Sequence, residues 1–418
     1  MGNNSHKPAI RFQGFTDAWE QRKLGDIADT KTGPFGTQLS AKEYTTSGIP
    51  VINVKNIGTG CIQENDLDYV SEGTAKRLND HIIRENDIVF GRKGAIGRHA
   101  IIGKTQNNWV QGSDCIRVRF KPGIVASYVN AQLQTTNVID YLSMNAYGST
   151  MLTLTTDMIN SIPLLMPEEA EQAEIAHVFS DIDNLITLHQ RKYQKLITVK
   201  KSMLEKMFPR DGSNNPEIRF IGFTDPWEQR KLGDMMNVTS VKRIHQSDWT
   251  DSGIRFLRAR DIVAAAKGEE PSDLLYISKE KYEEYSALSG KVAIDDLLVT
   301  GVGTIGIPYL ISNSEPLYFK DGNIIWFQNC GKINGKFFYY SFTGEQIQSF
   351  IKDSAGIGTV GTYTIESGKK TPILLPGIEE QRKLGAFFTD LDNLITLHQR
   401  KLEKLKNIKQ SLLQNMFV

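Results

Sequence analysis

The sequence RFQGFTDAWEQRKLGD at residues 11–26 returns as RFIGFTDPWEQRKLGD at residues 219–234. A second stretch, DNLITLHQRK at residues 183–192, returns unchanged at residues 392–401. The segments between these repeats barely match. The chain therefore consists of two copies of one frame around two unlike inserts. This pattern predicts a molecule that makes one kind of contact twice, with two different targets.

Length and composition fit a globular protein with more than one domain. The chain has 418 residues, of which 40% are hydrophobic and 23% are charged, as in ordinary proteins with buried cores. No apolar run approaches the ~18 residues of a membrane span, and the polar N-terminus has no signal-peptide core. Cys61, Cys115 and Cys330 have no metal-ligand spacing and fit a reducing compartment. We expect a cytoplasmic protein without a membrane partner.

The net charge of +1 neither indicates nor excludes a nucleic-acid partner. A free-standing, sequence-independent DNA-binding protein usually carries a visible basic excess. If this chain binds DNA, its cations must be local, or a partner must supply part of the phosphate contacts.

Each half of the chain is predicted to begin with a mixed, strand-rich part. Short β-branched runs alternate with Gly and Asn turns, in the same order in both halves. These runs are residues 49–54, 87–90 and 115–120 in the first half and 254–257, 296–300 and 323–327 in the second. A short helix is expected near residues 126–142 and again near residues 335–351.

Each half is predicted to end with a long helix. Pro167 and Pro376 stand just before it, and glutamates fill its first turns, where carboxylates complement the helix dipole. Apolar residues follow a seven-residue step, which is typical of a coiled coil. The rows are Ile182, His189, Leu196, Met203 and Ile186, Tyr193, Met207 in the first helix, and Leu391, His398, Leu405, Leu412 and Ile395, Leu402, Met416 in the second. Because neither helix can bury its stripe alone, each is the natural partner of the other.

The direction of the helix pair follows from chain lengths. Parallel helices of roughly 60 Å would force the second globular part to enter and leave that far apart. The link at residues 209–216 spans at most ~29 Å, and domain termini usually lie close together. The sequence therefore predicts an α+β fold, with two strand-rich α/β domains joined by two long antiparallel coiled-coil helices and an internal pseudo-two-fold repeat. The predicted domains are residues 1–167 and 209–376, and the helices are residues 168–208 and 377–418.

A glycine-rich turn carries a pattern that resembles a cofactor motif. Residues 301–306 match Gly-x-Gly-x-x-Gly, but a dinucleotide site needs a helix directly afterwards, and here a strand-like run follows. The equivalent turn in the first half carries Arg92, Lys93 and Arg98. We therefore prefer a turn between strands over cofactor binding. The three cations suit phosphates or guanine edges, and a solvated hairpin tip is the alternative.

Other loops carry polar side chains that suit DNA contact, although a solvent-facing loop explains each of them equally well. The candidate DNA-binding residues are Lys55, Arg92, Lys93, Arg98, Tyr147 and Ser149 in the first half and Arg258, Arg260 and Tyr363 in the second. The sequence has no phosphate-binding loop, nucleophile elbow, His-Glu-x-x-His helix or nuclease cluster, which favours a binding protein over an enzyme. We expect no catalytic, metal-ligating or cofactor-binding residues.

Four motifs occur in the same order in both halves. They lie at residues 19–26, 47–50, 87–97 and 163–172, and again at 227–234, 252–254, 296–306 and 372–381. Over essentially the whole chain, this doubled order resembles the DNA-specificity subunit of type I restriction–modification systems. The second copy departs at Arg255 and Val302, where the first has Pro50 and Lys93. A DNA role for the glycine-rich turn is therefore weaker in the second half.

The resemblance implies two target recognition domains, each of which recognises one half of a bipartite site in double-stranded DNA. It implies that the helix pair sets the gap between the half-sites and docks two copies of a DNA methyltransferase subunit. ATP-dependent restriction subunits, which carry the motor and the nuclease, would complete the complex.

The resemblance also implies a non-catalytic chain within an adenine-N6 methyltransferase and ATP-dependent endonuclease complex. S-adenosylmethionine, ATP and Mg²⁺ would belong to the partner subunits. The alternative is a coiled-coil adaptor whose end domains bind protein. A fused single-chain restriction–methylation enzyme would need catalytic motifs that the sequence lacks.

Overall fold

The protein is described here by a computed structural model that covers residues 7–94, 97–146, 153–210, 212–271, 273–355 and 361–417. The chain divides into two compact units. The first unit comprises Met1–Gln190 with Arg400–Val418, and the second comprises Arg191–Gln399. Each unit therefore contains part of both long helices.

The first unit consists of short strands and helices that precede the first long helix. Its strands are β1 Glu20–Lys23, β2 Ala28–Thr32, β3 Tyr44–Thr45, β4 Ile49–Ile52, β5 Thr59–Gly60, β6 Asp68–Val70, β7 Ile88–Gly91, β8 His99–Ile101, β9 Val110–Gln111, β10 Cys115–Phe120 and β11 Pro163–Met166. Its helices are α1 Leu24–Ile27, α2 Glu72–Arg77, α3 Ala126–Gln132, α4 Thr136–Asn145, α5 Thr156–Asn160 and α6 Glu169–Met207. As the sequence predicted, α6 begins just after Pro167, at Glu169, with glutamates in its first turn.

Two sheets and a strand pair organise the first unit. One sheet has the order β2-β10-β7-β8-β5, and the other has the order β3-β6-β4-β9. Neighbouring strands are antiparallel except for the pairs β5–β8 and β4–β9. Strands β1 and β11 pair antiparallel beside the start of α6. The main core lies between the first sheet, the short helices and the long-helix segments of this unit.

The second unit repeats this order. Its strands are β12 Glu228–Lys231, β13 Asn237–Thr239, β14 Trp249–Thr250, β15 Ile254–Leu257, β16 Leu275–Ile277, β17 Leu297–Thr300, β18 Pro308–Leu310, β19 Leu317–Phe319, β20 Ile324–Gln328 and β21 Pro372–Leu375. Its helices are α7 Leu232–Met235, α8 Ala259–Lys267, α9 Lys279–Ser289, α10 Gly335–Thr343, α11 Glu345–Ser354, α12 Ile365–Lys370 and α13 Ile378–Met416. The sheets have the orders β13-β20-β17-β18 and β14-β16-β15-β19, and β12 pairs with β21.

The two inserts differ in architecture after β4 and β15. In the first unit a 3₁₀ turn at Val54–Asn56 leads into β5, which extends the larger sheet. In the second unit the corresponding residues form α8. The alanine run of this helix favours the helical state, and Gly268 ends it in the left-handed conformation at φ 72°. The repeated segments at the ends of each unit therefore match, whereas the inserts between them form different surfaces.

The expectation of one short helix near residues 126–142 and 335–351 was wrong, because each stretch forms two helices. The first stretch breaks before Thr135, which is extended at ψ 150° and starts α4. The second breaks at Gly344, which is extended at ψ 153° and starts α11. Threonine and glycine both fit a helix N-cap, so they end one helix and begin the next.

A buried ion pair joins the repeated N-terminal segment to the first turn of each long helix. Arg11 donates from Nε and Nη2 to Glu171 at 2.6 and 2.8 Å, and the carboxylate side chain is fully buried. Trp19 donates to the same carboxylate at 3.1 Å. Arg219 holds Glu380 in the same way, at 2.7 and 2.8 Å. These bonds raise the pKa of both arginines. The same kind of ion pair therefore holds the N-terminal segment of each unit against its long helix.

The tryptophan of the second frame is held differently. Trp227 is 1% exposed, and its Nε1 has no hydrogen-bond partner among the described residues. Its ring instead packs edge-on against Phe208 and Phe337. Glu380 therefore lacks the tryptophan bond that Glu171 receives.

In the first unit the two long helices run antiparallel. Phe179 packs against Phe417, with ring centroids 5.6 Å apart. Further along α6, Asp183 accepts a hydrogen bond from Lys409 of α13 at 2.6 Å. Residue numbers in contact thus increase along α6 while they decrease along α13.

The second unit contains the equivalent contacts. Lys200 of α6 donates to Asp392 of α13 at 2.5 Å, and Phe208 packs against Phe388 with centroids 5.8 Å apart. Here α6 supplies the cation, whereas in the first unit α13 supplies it. Each unit therefore contains a cross-helix ion pair and a cross-helix aromatic contact.

Replacing Glu171 with glutamine should destabilise the first unit by roughly 3 kcal/mol, because Arg11 then lacks its buried counter-charge. The matched Glu380→Gln change should cost roughly 1 kcal/mol less, since Glu380 receives no tryptophan bond. Hydrogen exchange read by mass spectrometry on peptides from β1, β12 and the starts of α6 and α13 measures both losses. Glu169→Gln, an exposed change in the same turn, is the control. Unchanged protection in Glu171→Gln would contradict the assigned role.

Candidate nucleic-acid interface

The first candidate site is the turn that follows β7. The N–H of Arg92 donates to the carbonyl of Asp114 at 2.8 Å, and its own carbonyl accepts from the N–H of Leu154 at 2.9 Å. The turn then passes through Gly94 and Gly97, whose φ angles are 97° and 76°. Glycine adopts such angles without steric cost. The backbone of Arg92 is therefore fixed on both sides, directly before a turn that needs glycine.

The guanidinium of Arg92 lies over an aromatic ring. Its guanidinium carbon lies 4.8 Å from the centroid of Phe35, and the ring belongs to a side chain that is 42% exposed. The buried Nε of Arg92 has no hydrogen-bond partner among the described residues. In the part of the chain that the structure describes, no carboxylate pairs with this guanidinium.

The other two cations of the turn have protein partners. Lys93 forms an ion pair with Asp114 at 3.2 Å, and its side chain is 48% exposed. Arg98 donates from Nε to the carbonyl of Ile57 at 3.0 Å. The structure thus brings the three predicted cations to one turn, with Arg92 the least committed of them. The predicted Tyr147 and Ser149 lie outside the described residues.

Lys55 and Arg260 occupy equivalent positions after β4 and β15. The Lys55 ammonium lies 3.0 Å from Asp66 and 3.1 Å from Asp68, and hydrogen bonds to these carboxylates raise its pKa. Arg260 pairs with Asp273. The two cations are 41% and 61% exposed. Each is therefore available at the surface, beside an acidic loop that holds it in place.

Arg258 lies at the N-cap of α8 and has a different environment. Its N–H donates to Asp261 at 2.8 Å, and its guanidinium donates to Asp261 at 3.0 and 2.9 Å and to Asp273 at 3.0 Å. Its side chain is 14% exposed, and that of Asp261 is 1% exposed. These bonds fix the start of α8 and favour a structural role for Arg258.

Tyr363 lies in the core of the second unit. Its side chain is 2% exposed, and its hydroxyl lies 2.5 Å from Oγ1 of Thr371. Burial raises the pKa of this hydroxyl. The position is equivalent to that of Leu154, since Leu154 donates its N–H to Arg92, directly after β7, and Tyr363 donates its N–H to Gly301, directly after β17. Burial therefore favours a packing role over contact with DNA.

The turn of the second unit has the same backbone without the cations. Gly301 donates to Asn323 at 2.8 Å and accepts from Tyr363 at 2.9 Å, as Arg92 does with its equivalents. A Cβ atom at Gly301 would lie only 2.6 Å from the carbonyl oxygen of Tyr363. Val302 and Ile307 stand where the first turn has Lys93 and Arg98. The strand β18, and not a helix, follows, so the dinucleotide motif lacks its required context.

Phe35 was not predicted from the sequence, although a local signal for it exists. The tetrapeptide GPFG at residues 33–36 places an aromatic residue between glycines. A Cβ atom at Gly33 would lie 1.9 Å from the carbonyl oxygen of Gly112, and Gly36 has φ 55°. Both glycines are therefore required for this loop, which carries Phe35 to the surface.

Within the described ranges, no group of His, Cys, Asp and Glu side chains could hold a metal ion. Among the same residues, no helix has both the length and the apolar character needed to cross a membrane.

Comparison with protein families matches both halves of the chain. The model of the type I restriction modification DNA specificity domain matches residues 16–198 and again residues 224–407. The chain belongs to this family. The resemblance inferred from the doubled motif order is therefore confirmed.

Similar proteins cover nearly the whole chain. The type I restriction enzyme MjaVIII specificity subunit of Methanocaldococcus jannaschii is 24% identical over 414 residues, which are 94% of this chain and 91% of the relative. The MjaIX specificity subunit of the same organism is 22% identical over 416 residues, which are 95% of this chain and 92% of the relative. The crystal structure of a type I restriction–modification S subunit from M. genitalium covers 99% of both chains with a TM-score of 0.65 at 16% identity.

The family supports DNA specificity as the function of this chain, in preference to the coiled-coil adaptor. The domain that defines the family occurs twice, and the relatives are specificity subunits. The S-subunit structure has the same fold. The surface cations of each unit are therefore candidate DNA contacts.

Arg258 and Arg260 give opposite expectations in the second unit. Arg258→Ala should destabilise this unit by ~1–3 kcal/mol, because it leaves the buried Asp261 without its charged donor. Arg260→Ala should leave stability unchanged and reduce the salt slope of DNA binding by about one unit. Hydrogen exchange measures the first effect, and fluorescence anisotropy with a labelled duplex at several salt concentrations measures the second. If Arg260→Ala binds DNA with the affinity and the salt slope of the wild type, Arg260 does not contact DNA and only faces solvent.

Proposed function

We propose that each of the two domains, residues 1–167 and 209–376, recognises one half of a bipartite site in double-stranded DNA. The observation that carries this proposal is the duplication of the frame around unlike inserts. The inserts differ in architecture, with β5 in one unit and α8 in the other. They also differ in charge at the turn of Arg92 and Gly301. One scaffold with two different surfaces suits two different half-sites.

We propose that α6 and α13 form an antiparallel coiled coil that sets the gap between the half-sites. Two cross-helix ion pairs, Asp183 with Lys409 and Lys200 with Asp392, support a defined register. The predicted seven-residue rows supply a further argument, because their members are less exposed than most of their neighbours along the helices.

We propose that the helices dock two copies of a DNA methyltransferase subunit. Leu185 and Leu188 of α6 are 43% and 45% exposed, and Leu394 and Leu397 of α13 are 43% and 44% exposed. The second pair occupies the repeat positions of the first, in the identical sequence DNLITLHQRK. Large apolar side chains left at the surface in a repeated pattern suit one partner that binds twice.

The division of chemistry follows from this arrangement. We propose that the chain supplies DNA recognition and spacing in the cytoplasm, whereas S-adenosylmethionine, ATP and Mg²⁺ bind to the methyltransferase and to the ATP-dependent restriction subunits. The transferred methyl group would go to N6 of adenine. The chain itself would have no catalytic residue.

A domain exchange tests the assignment of half-sites. Replacing residues 31–147 with the matching segment of a relative should change one half of the methylated motif and leave the other half unchanged, because the frame stays intact. Methylome sequencing of a host that expresses the chain with its methyltransferase subunit identifies the motif. The reciprocal exchange of residues 239–355 is the matched control and should alter only the other half. A change in both halves after either exchange would contradict one domain for each half-site.

The exposed leucine pairs predict the stoichiometry of the complex. Leu185→Glu with Leu188→Glu should remove one methyltransferase copy, because two carboxylates in an apolar contact face unpaired burial. Leu394→Glu with Leu397→Glu should remove the other copy, and the four changes together should remove both. Native mass spectrometry of the purified complexes counts the copies. Two retained copies in the fourfold variant would show that the partner docks elsewhere.

A further inference from the structure

We propose that Arg92 contacts a guanine in the half-site of the first domain, and that Phe35 holds the guanidinium in the orientation that this contact needs. This inference rests on the proposed function, since it names the residue by which one domain would distinguish its half-site. Arg92 is the contacting residue, and Phe35 is a positioning residue.

Arg92 differs from the arginines that serve the fold. Arg119 donates to the buried Asp87 at 2.8 and 2.6 Å, and Arg258 donates to the buried Asp261. Arg92 has neither a carboxylate partner nor an acceptor for its buried Nε within the described residues. The fold therefore gives this guanidinium no acceptor among the described residues, and its terminal Nη donors are the ones that an external acceptor would meet.

The ring of Phe35 limits the orientations that the guanidinium can adopt. The guanidinium carbon lies 4.8 Å from the ring centroid, which is within the range of a cation–π contact. The five N–H donors of a guanidinium lie in one plane, so a restricted side chain presents them in a restricted set of directions. The N–H and the carbonyl of Arg92 are both hydrogen-bonded, so its backbone is fixed. The ring of Phe35 then restricts the rotation of its side chain. Less side-chain entropy is then lost when a base binds.

Phe35 is held at the surface by a loop that cannot relax easily. The N–H of Gly33 donates to the carbonyl of Cys115 at 2.8 Å, and the close approach of Gly33 to Gly112 leaves no room for a side chain. The ring itself is 42% exposed. A large aromatic side chain that contributes little to a core, and that a rigid loop presents beside an unpaired arginine, is explained by its action on that arginine.

The local charges favour a base edge over a phosphate. Lys93 is neutralised by Asp114, whose carboxylate lies 3.2 Å from its ammonium. Because this ion pair carries no net charge, it adds little attraction for a phosphate beside Arg92. The fork of an arginine matches O6 and N7 of guanine in the major groove, which is the commonest specific arginine contact with DNA.

The second domain provides an internal comparison. Gly301 makes the same backbone bonds as Arg92, yet a Cβ atom there would lie 2.6 Å from the carbonyl oxygen of Tyr363. No side chain can project from that position without a shift of the backbone. The turn at Gly301 therefore offers no equivalent of the proposed Arg92 contact.

The test uses the complex of the full chain with its methyltransferase subunit. The methylated motif is first identified by methylome sequencing. Purified complexes are then assayed for methyl transfer to duplexes in which each base pair of both half-sites is replaced in turn. The variants are Arg92→Ala, Arg92→Lys, Phe35→Ala and Phe35→Tyr. Leu288→Ala, a change of an exposed apolar residue in the second unit, is the control.

The wild-type complex should prefer guanine at one position of the first half-site by about 5- to 150-fold over other bases. Arg92→Ala and Arg92→Lys should lose this preference at that position alone, because alanine lacks donors and lysine lacks the planar fork. Phe35→Ala should weaken the same preference without a change in the salt slope of DNA binding. Phe35→Tyr should retain the wild-type preference, because the ring is kept. The second half-site and the Leu288→Ala control should behave as wild type.

Three results would overturn the inference while leaving the proposed function intact. They are a first half-site without guanine, unchanged base preference in Arg92→Lys and Arg92→Ala, and a uniform loss of affinity for all duplexes with a smaller salt slope, which would make Arg92 a phosphate contact. A wild-type complex that methylates no two-part motif would refute the proposed function itself. Hydrogen exchange of the first unit in Arg92→Lys verifies that the fold is retained.

Discussion

The bond between Arg11 and the buried Glu171, with its copy between Arg219 and Glu380, is the constraint on which both units depend. A carboxylate without water is stable only when it is paired and hydrogen-bonded. Each pair therefore fixes the first turn of a long helix against the segment that precedes the unit's first strand. The strand pairs β1–β11 and β12–β21 close the frame at the same place. Everything between these strands can vary while the long helix keeps its starting position.

This separation explains how two surfaces diverge on one fold. The turns of Arg92 and Gly301 share their backbone hydrogen bonds, and only the side chains differ. Likewise, Lys55 and Arg260 occupy equivalent positions, although one belongs to a 3₁₀ turn and the other to a helix. The repeated frame fixes the positions at which side chains reach the surface. The residues of each insert determine the charge and polarity at those positions. A specificity protein needs this division, because base contacts must change without loss of register on the phosphates.

The repeat, three of the strands in each half and the start of the long helices could be predicted from the sequence, because exact repeats, β-branched runs and a capped seven-residue pattern are local signals. The chemistry of single loop residues could not. Arg258 and Arg260 look alike in sequence, yet one is enclosed by Asp261 and Asp273 and the other is exposed. Tyr363 lies in a polar stretch but fills a core. Burial depends on partners that are distant along the chain, and periodicity does not identify them.

The near-neutral charge of the chain is consistent with its role. Ion pairs hold the cations at three candidate positions, namely Lys55, Lys93 and Arg260. At these positions each positive charge is balanced by a neighbouring carboxylate, so they add no large basic excess to the surface. Affinity for DNA grows with the number of neutralised phosphates, whereas discrimination grows with the geometry of a few base contacts. On the proposed function, the partner subunits would supply most of the phosphate contacts and this chain would supply the discrimination. A single arginine adds one charge to attraction at a distance, whereas its fork would favour one base edge over the others at contact.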